Sequence, residues 1–241
     1  MNFDQYLRHV ELRHERIKSF SEFPYCLSSV RNLDRMEFHP KVTFLVGENG
    51  TGKSTILEAI AIAFGFNPEG GTRNFNFLTK NTHSELHDAI KLVKGVKRPH
   101  DGFFLRAESF YNVATNVDEL DAAEFYGGKS LHLQSHGESF LSLIRNRFSG
   151  NGLYILDEPE AALSPSRQMS MLAIMHELIS NNSQFIIATH SPIIMSYPDS
   201  VIYELNDGIK KVNYKETEHY KITRAYLENP ERMLKILLEN G

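Results

Sequence analysis

The stretch Gly47-Glu48-Asn49-Gly50-Thr51-Gly52-Lys53-Ser54-Thr55 constrains the fold more than any other part of the chain. It fits G-x-x-x-x-G-K-[ST], a loop that cradles phosphate when it links a strand to a helix. The flanks supply that context. Val42-Thr43-Phe44-Leu45-Val46 is short, apolar and β-branched, as a strand buried on both faces of a parallel sheet should be. Ile56 to Phe64 is rich in helix formers and has an apolar face. Glycines let the backbone curl so that successive N–H groups point at phosphate oxygens, and the helix N-terminus adds partial positive charge. Lys53 is then expected at the β- and γ-phosphates, with the Ser54 hydroxyl as a ligand for Mg²⁺.

With 241 residues the chain can bury a sizeable core. The N-terminal Met1-Asn2-Phe3-Asp4-Gln5-Tyr6 is polar, unlike a secretion signal, and no apolar run approaches the length of a membrane span. The single cysteine, Cys26, rules out an internal disulfide framework and suits a reducing compartment. These features predict a cytoplasmic protein with no intrinsic membrane segment. A formal net charge of −4 offers no global attraction to nucleic acid and leaves room only for a local patch.

Ahead of the loop, residues 1–40 read as a strand-rich lead-in, with Tyr6 to Leu12 alternating polar and apolar. Nucleotide bases are often held from such a lead-in, and Phe20, Phe23, Tyr25 and Arg31 are the candidates. After the loop helix, Asn67-Pro68-Glu69-Gly70-Gly71-Thr72 is turn chemistry. Residues 83–95 carry helical periodicity through Leu86, Ile90 and Leu92-Val93. Lys91, Lys94, Lys97 and Arg98 read as a solvated helix end, with a polyanion patch as the alternative. Gly102 to Glu108 reads as a strand ending in a carboxylate, and 109–133 as helix broken at Gly127-Gly128.

Gln134-Ser135-His136-Gly137-Glu138-Ser139 leads into a helix over Phe140 to Phe148, and a Ser-x-Gly-Glu run at a helix start can present N–H groups and a hydroxyl to an anion. Leu153-Tyr154-Ile155-Leu156-Asp157-Glu158-Pro159 is an apolar strand ending in two acids. Asp157 is the candidate to hold Mg²⁺, directly or through water, and Glu158 the candidate to polarise the attacking water. Gln184 to Thr189 is another β-branched strand, and His190-Ser191-Pro192 follows at the carboxyl end where open α/β sheets bind ligands. Val201 to Leu205 and Ile209 to Val212 flank Asn206-Asp207-Gly208, a hairpin signal. Two short helices follow, Thr217 to Leu227 and a second capped at Asn229-Pro230-Glu231. Met233, Leu234, Ile236, Leu237 and Leu238 predict that the second packs as a flap on the core, whereas Glu216, Glu218 and His219 read as surface residues that hold no metal.

In order and spacing these motifs resemble those of ATP-binding-cassette ATPases, in particular the soluble branch of SMC-like and RecF-like repair ATPases and small stand-alone ATPases. The resemblance runs from about residue 5 to about residue 205. Gly47 to Ser54 is similar to the Walker A loop, Ser135-His136-Gly137-Glu138 to the signature motif and Leu153 to Glu158 to Walker B. Glu160 to Pro165 resembles the D-loop, and His190 the switch histidine. His136 stands where the family has a middle glycine, Ser164 where the D-loop often has Asp or His, and Glu108 nearest the family's Mg²⁺-contacting Gln. In the family, two cassettes sandwich two ATP molecules head to tail, the signature motif of one closing on the γ-phosphate held by the other. The resemblance therefore implies that Ser135, Gly137 and Glu138 act across an ATP-dependent dimer, with a second copy or a related subunit. It also implies that His190 contacts the γ-phosphate and that Ser54, Asp157 and Glu108 organise Mg²⁺.

The expectation is an α/β P-loop NTPase of one domain over 1–241: a mostly parallel sheet flanked by helices, an antiparallel N-terminal lobe, a helical lobe from roughly 80 to 150, and a hairpin with a helical flap from roughly 200 to 241. The expected activity is Mg²⁺-dependent ATP hydrolysis driving dimerisation. The expected role is DNA repair or defence against foreign DNA, with a DNA or protein partner. The alternatives are energising a membrane transporter and acting as a nucleotide-gated switch with little turnover.

Overall fold

The computed structural model describes residues 5–68, 70–71, 84–106 and 136–239. Among them, six strands form the central sheet. In chain order they are β3 (Val42–Val46), β5 (Asp101–Arg106), β6 (Gly152–Asp157), β7 (Gln184–Ala188), β8 (Ser200–Asn206) and β9 (Gly208–Val212), and in space they run β5-β6-β7-β3-β8-β9. All neighbouring pairs are parallel except the β8–β9 hairpin, which turns at Asp207 as the Asn-Asp-Gly signal predicts. β3, β6 and β7 are buried along their whole length, because helices cover both faces.

Each face has its own core, set by the alternation of side chains along the strands. On one face Phe44, Tyr154, Leu156 and Phe185 pack with Phe140 and Leu143 of helix α4 (His136–Arg147) and Met171 and Met175 of α5 (Pro165–Ser180). On the other, Leu45, Leu153, Ile155 and Ile186 pack against Ile56, Leu57 and Ile60 of α2 (Lys53–Phe64). That second core continues into a three-stranded antiparallel sheet ordered β2-β1-β4, made of β1 (Leu7–Leu12), β2 (Arg35–Glu37) and β4 (Ile90–Lys94). Short helices α1 (Ser28–Arg31) and α3 (Leu86–Ala89) flank it.

Three expectations are corrected. Of the helix expected over 83–95, one turn forms; Ile90 to Lys94 is a strand because β1 pairs with it, Val10 opposite Leu92 and Leu12 opposite Ile90. The basic run is consequently no helix end: Lys91 lies 3.3 Å from Glu11 across the ladder, and the Lys94 ammonium sits 4.5 Å from the centre of the Phe64 ring. The strand expected from Gly102 forms as β5 in the main sheet, and residues 107–135 of the interval expected as a helical lobe, with the helix and the Gly127-Gly128 break expected there, lie outside the described residues. Third, helices α6 (Glu218–Glu228) and α7 (Pro230–Glu239) bury no residue in the core, and Leu237 and Leu238 are exposed.

Candidate functional site

Parallel pairing brings the carboxyl ends of four strands to one edge. Arg106 stands opposite Asp157, Asp157 opposite Ala188, and Ala188 opposite Leu45 just before the glycine loop. Residues 47–55 leave β3 there and turn into α2. Gly47 (φ +144°) needs to be glycine, since a Cβ would stand 2.5 Å from the Leu205 carbonyl oxygen. Thr51 Oγ1 and Lys53 Nζ donate to the Glu48 carbonyl at 2.8 and 3.0 Å, and Ser29 Oγ donates to the Thr51 carbonyl. Lys53 opens α2 and is 4% exposed. Burial holds its pKa below the ordinary value against the pull of Glu158, Asp157, Glu48 and Glu160.

A cavity of about 340 Å³ lies over the loop, lined by Asn49, Gly50, Gly52, Lys53, Ser54, Thr55 and Glu158, with Phe23 and Leu27 from the lead-in. Ser54 Oγ donates to Asp157 Oδ1 at 3.0 Å. That oxygen pair at the cavity edge suits Mg²⁺, which takes one or two protein oxygens together with substrate phosphates. Arg106 sits beside it, with Nη1 2.6 Å from Glu58 and Nε 3.6 Å from Asp157 Oδ2.

Glu158 has left-handed backbone angles (φ +49°, ψ +51°), unusual for a residue with a side chain, and its N–H donates to the Ala188 carbonyl at 2.9 Å. Its Oε1 is 3.3 Å from His190 Nε2, a contact without the alignment of a hydrogen bond, so this buried ring nitrogen keeps its hydrogen-bonding capacity. Burial, and then the Lys53 charge, holds the His190 pKa below the ordinary value, with Glu158 pulling the other way. Glu160 fixes the segment that carries His190: its carboxylate accepts from the His190 N–H and from Thr189 Oγ1. Burial raises the Glu160 pKa against those bonds.

Gly137 and Glu138 are elsewhere, at the start of α4. A Cβ on Gly137 would stand 2.6 Å from Arg167 Nη1 and 2.8 Å from the Ala162 carbonyl, and Glu138 pairs with Arg167 at 3.1 Å. Neither residue lines the cavity. Ser135 and Glu108 lie outside the described residues. The residues of 47–55, Asp157, Glu158 and His190 are thus gathered at one edge, while Gly137 and Glu138 pack beside Arg167 at the start of α4.

Three residues at this edge were not named from the sequence for the places they take. Arg106 closes β5 beside Asp157, and Glu160 belongs to the D-loop-like run. His219, read as a surface residue, instead meets His190 Nδ1 at 2.9 Å through Nε2. Only the strand-end position of Arg106 was a usable signal.

Two family models match the chain: an AAA domain over residues 11–111 and an AAA ATPase domain over residues 139–195. The chain is 22% identical over 207 residues to the macrolide export ATP-binding/permease protein MacB of Hahella chejuensis, covering 74% of this chain and 30% of that protein. It is 26% identical over 166 residues to the thiamine import ATP-binding protein ThiQ of Vibrio cholerae, covering 62% and 68%. Among solved structures it resembles cbiO1 from Clostridium perfringens, part of the ABC transporter complex cbiONQ (TM-score 0.53, 19% identity, 98% and 99% of the two chains). It also resembles the SMC head domain from Thermotoga maritima (TM-score 0.50, 18% identity, 87% and 100%).

Proposed function

We propose that this chain, which has the fold of ABC cassettes and SMC heads, is a P-loop ATPase domain that hydrolyses Mg·ATP between two head-to-tail copies, or between itself and a related subunit. The observation that carries this reading is the Ser54–Asp157 pair, 3.0 Å apart at the edge of a cavity bounded by the glycine loop and Glu158. The loop amides and Lys53 hold the β- and γ-phosphates, and Phe23 with Leu27 receives the base. Ser54 and Asp157 are the residues that would hold Mg²⁺, which when bound neutralises charge building on the phosphates. Glu158 orients the attacking water, and the spare Nε2 of His190 donates to a γ-phosphate oxygen. Gly137 and Glu138 do not line their own cavity and are assigned to closing the site of a partner, as the resemblance of their motif to the cassette signature implies.

The test is the size of purified Glu158→Gln protein with and without Mg·ATP, beside wild-type phosphate release. The expected result is a dimer that appears only with ATP, together with slow wild-type turnover. A monomer under both conditions, or a variant that hydrolyses at the wild-type rate, overturns the reading.

For the work driven by turnover, the leading reading is action on DNA in repair or defence, supported by the fold shared with the SMC head. ATP-dependent, salt-sensitive DNA binding tests it. Energising a transporter is the second reading, favoured by the similarity to macrolide export and thiamine import proteins, and recovery with membranes tests it. Among the described residues no helix is long and apolar enough to cross a membrane.

A further inference from the structure

We propose that His219, from the C-terminal helix α6, is a positioning residue that fixes the tautomer of His190 and so aims a proton from Nε2 at the γ-phosphate. The γ-phosphate part rests on the function proposed above; the tautomer itself does not.

Two ring contacts and one unpartnered ring nitrogen determine where the protons sit. His190 Nδ1 and His219 Nε2 are 2.9 Å apart, so one of the two nitrogens donates and the other accepts. His190 Nε2 lies 3.3 Å from Glu158 Oε1, and an ionised carboxylate can only accept. If Nε2 were the bare nitrogen, two lone pairs would face each other in a half-buried site. If His190 Nδ1 carried the proton, His219 Nε2 would have to accept, which puts the proton of His219 on its Nδ1. That Nδ1 is buried and has no hydrogen-bond partner, and an orphaned buried N–H is rarer and costlier than a bare acceptor. A doubly protonated His190 leaves the same orphan. One arrangement sets the unbonded proton beside a carboxylate and not where nothing can receive it: His219 Nε2–H donates to His190 Nδ1, and His190 carries its proton on Nε2, 3.3 Å from Glu158 Oε1.

His219 is held firmly enough for this task. It lies in the first turn of α6, whose capping residue Thr217 is buried and accepts from the Tyr220 N–H at 3.3 Å. Thr217 Oγ1 donates to the Tyr214 carbonyl at 2.8 Å. The Glu218 N–H donates to Glu204 Oε1 at 2.9 Å, and Asn206 Nδ2 donates to Glu218 Oε2 at 3.2 Å, tying the turn to the end of β8 beside the glycine loop. Glu160, gripping the His190 N–H, fixes the other ring from its backbone side. The two rings meet at 62° with centroids 5.0 Å apart, an edge-on approach that suits an in-plane N–H donor. The helix pair that buries nothing in the core therefore contributes one side chain to the site.

The experiment assigns the ring nitrogens of His190 by long-range ¹H–¹⁵N correlation in nucleotide-free wild type, His219→Gln and His219→Leu, with the His190→Asn spectrum identifying the signals. The expected result is the Nε2–H tautomer in wild type and in His219→Gln, whose amide can donate from nearly the same place, and mixed tautomers in His219→Leu. Steady-state hydrolysis should show kcat for His219→Leu lowered about tenfold with KM for ATP within about twofold, and recovery in His219→Gln, the pattern for a group that orients a catalytic imidazole. A wild-type His190 protonated on Nδ1, or a His219→Leu spectrum with the wild-type tautomer, overturns the proposal even if ATP hydrolysis is as proposed. A wild-type protein without turnover overturns the ATPase reading and leaves the tautomer to be decided by the spectra.

Discussion

Phe23 is 65% exposed, yet it lines the phosphate-loop cavity with Leu27. Of the four lead-in side chains that could have met a base, the other three are engaged elsewhere. Tyr25 donates to the Glu85 carbonyl at 3.4 Å, Arg31 to the Phe20 carbonyl at 2.9 Å, and the Phe20 ring leans on His14 at 5.9 Å. An apolar ring left in water at the mouth of a polar cavity is a ready stacking platform, and stacking a base on such a ring is worth about 1–3 kcal/mol. Phe23→Ala should therefore weaken ATP binding about tenfold and leave inorganic triphosphate binding within about twofold. Competition titrations against a fluorescent nucleotide check both. Equal weakening of the two ligands would mean that the substitution disturbs the loop and that Phe23 does not meet the base. The alternation and turn chemistry of the lead-in did not distinguish Phe23 from its neighbours; the path of the chain past residue 52 does.

At the scale of elements, Asp101 joins three of them. From the start of β5 it accepts from the Gly102 and Ser149 N–H groups at 2.8 and 2.9 Å, from Arg147 at the end of α4 at 3.1 Å, and from the Tyr154 hydroxyl of β6 at 2.8 Å. Burial pushes its carboxyl up, but the Ser149 N–H, the Tyr154 hydroxyl and Arg147 outweigh burial and leave the pKa below the ordinary value. A carboxyl with a depressed folded pKa adds stability above its unfolded pKa, near 4, and loses it as pH falls through the folded value. Asp101→Asn should lower stability at pH 7 by about 1–3 kcal/mol, and the gap to wild type should shrink toward pH 3. Urea midpoints at the two pH values measure this. An unchanged gap would place the effect in shape and not in charge. Nothing in the sequence marked this aspartate, because its partners beyond the adjacent Gly102 lie 46 to 53 residues downstream.

The molecule as a whole depends on how its two sheets are joined, and Gln184 makes that joint at the first residue of β7. Its Oε1 accepts from the Tyr6 and Leu7 N–H groups at 3.1 and 2.9 Å, and its Nε2 donates to the Leu7 and His39 carbonyls at 2.8 and 3.0 Å. Gln184→Leu would strand buried backbone groups of the antiparallel sheet, at a cost of about 3 kcal/mol. For a chain of this size that corresponds to a melting temperature lower by about 6–12 °C. Thermal unfolding gives the number, and faster amide exchange at Leu7 would locate it. A stable variant with wild-type exchange would show that the shared apolar core alone unites the sheets.

What the sequence determined by itself is what neighbouring residues decide. The loop at 47–55 follows from its glycines, the buried strands β3, β6 and β7 from unbroken apolar runs, the β8–β9 hairpin from Asn-Asp-Gly, and α7 from its capping Asn-Pro-Glu. Tertiary structure decided what distant residues impose. β1 makes Ile90 to Lys94 a strand despite its helical spacing, because a waiting ladder of N–H and C=O groups outweighs a weak local preference. α6 and α7 keep their amphipathic pattern but not the burial it suggests, since periodicity shows which residues share a face and not whether another element covers it. Glu160 and His219 reach His190 across 30 and 29 residues of chain. Side chains that far apart have no fixed spacing to read; they meet because parallel pairing ends the strands at one edge and β8 sets the first turn of α6 beside it.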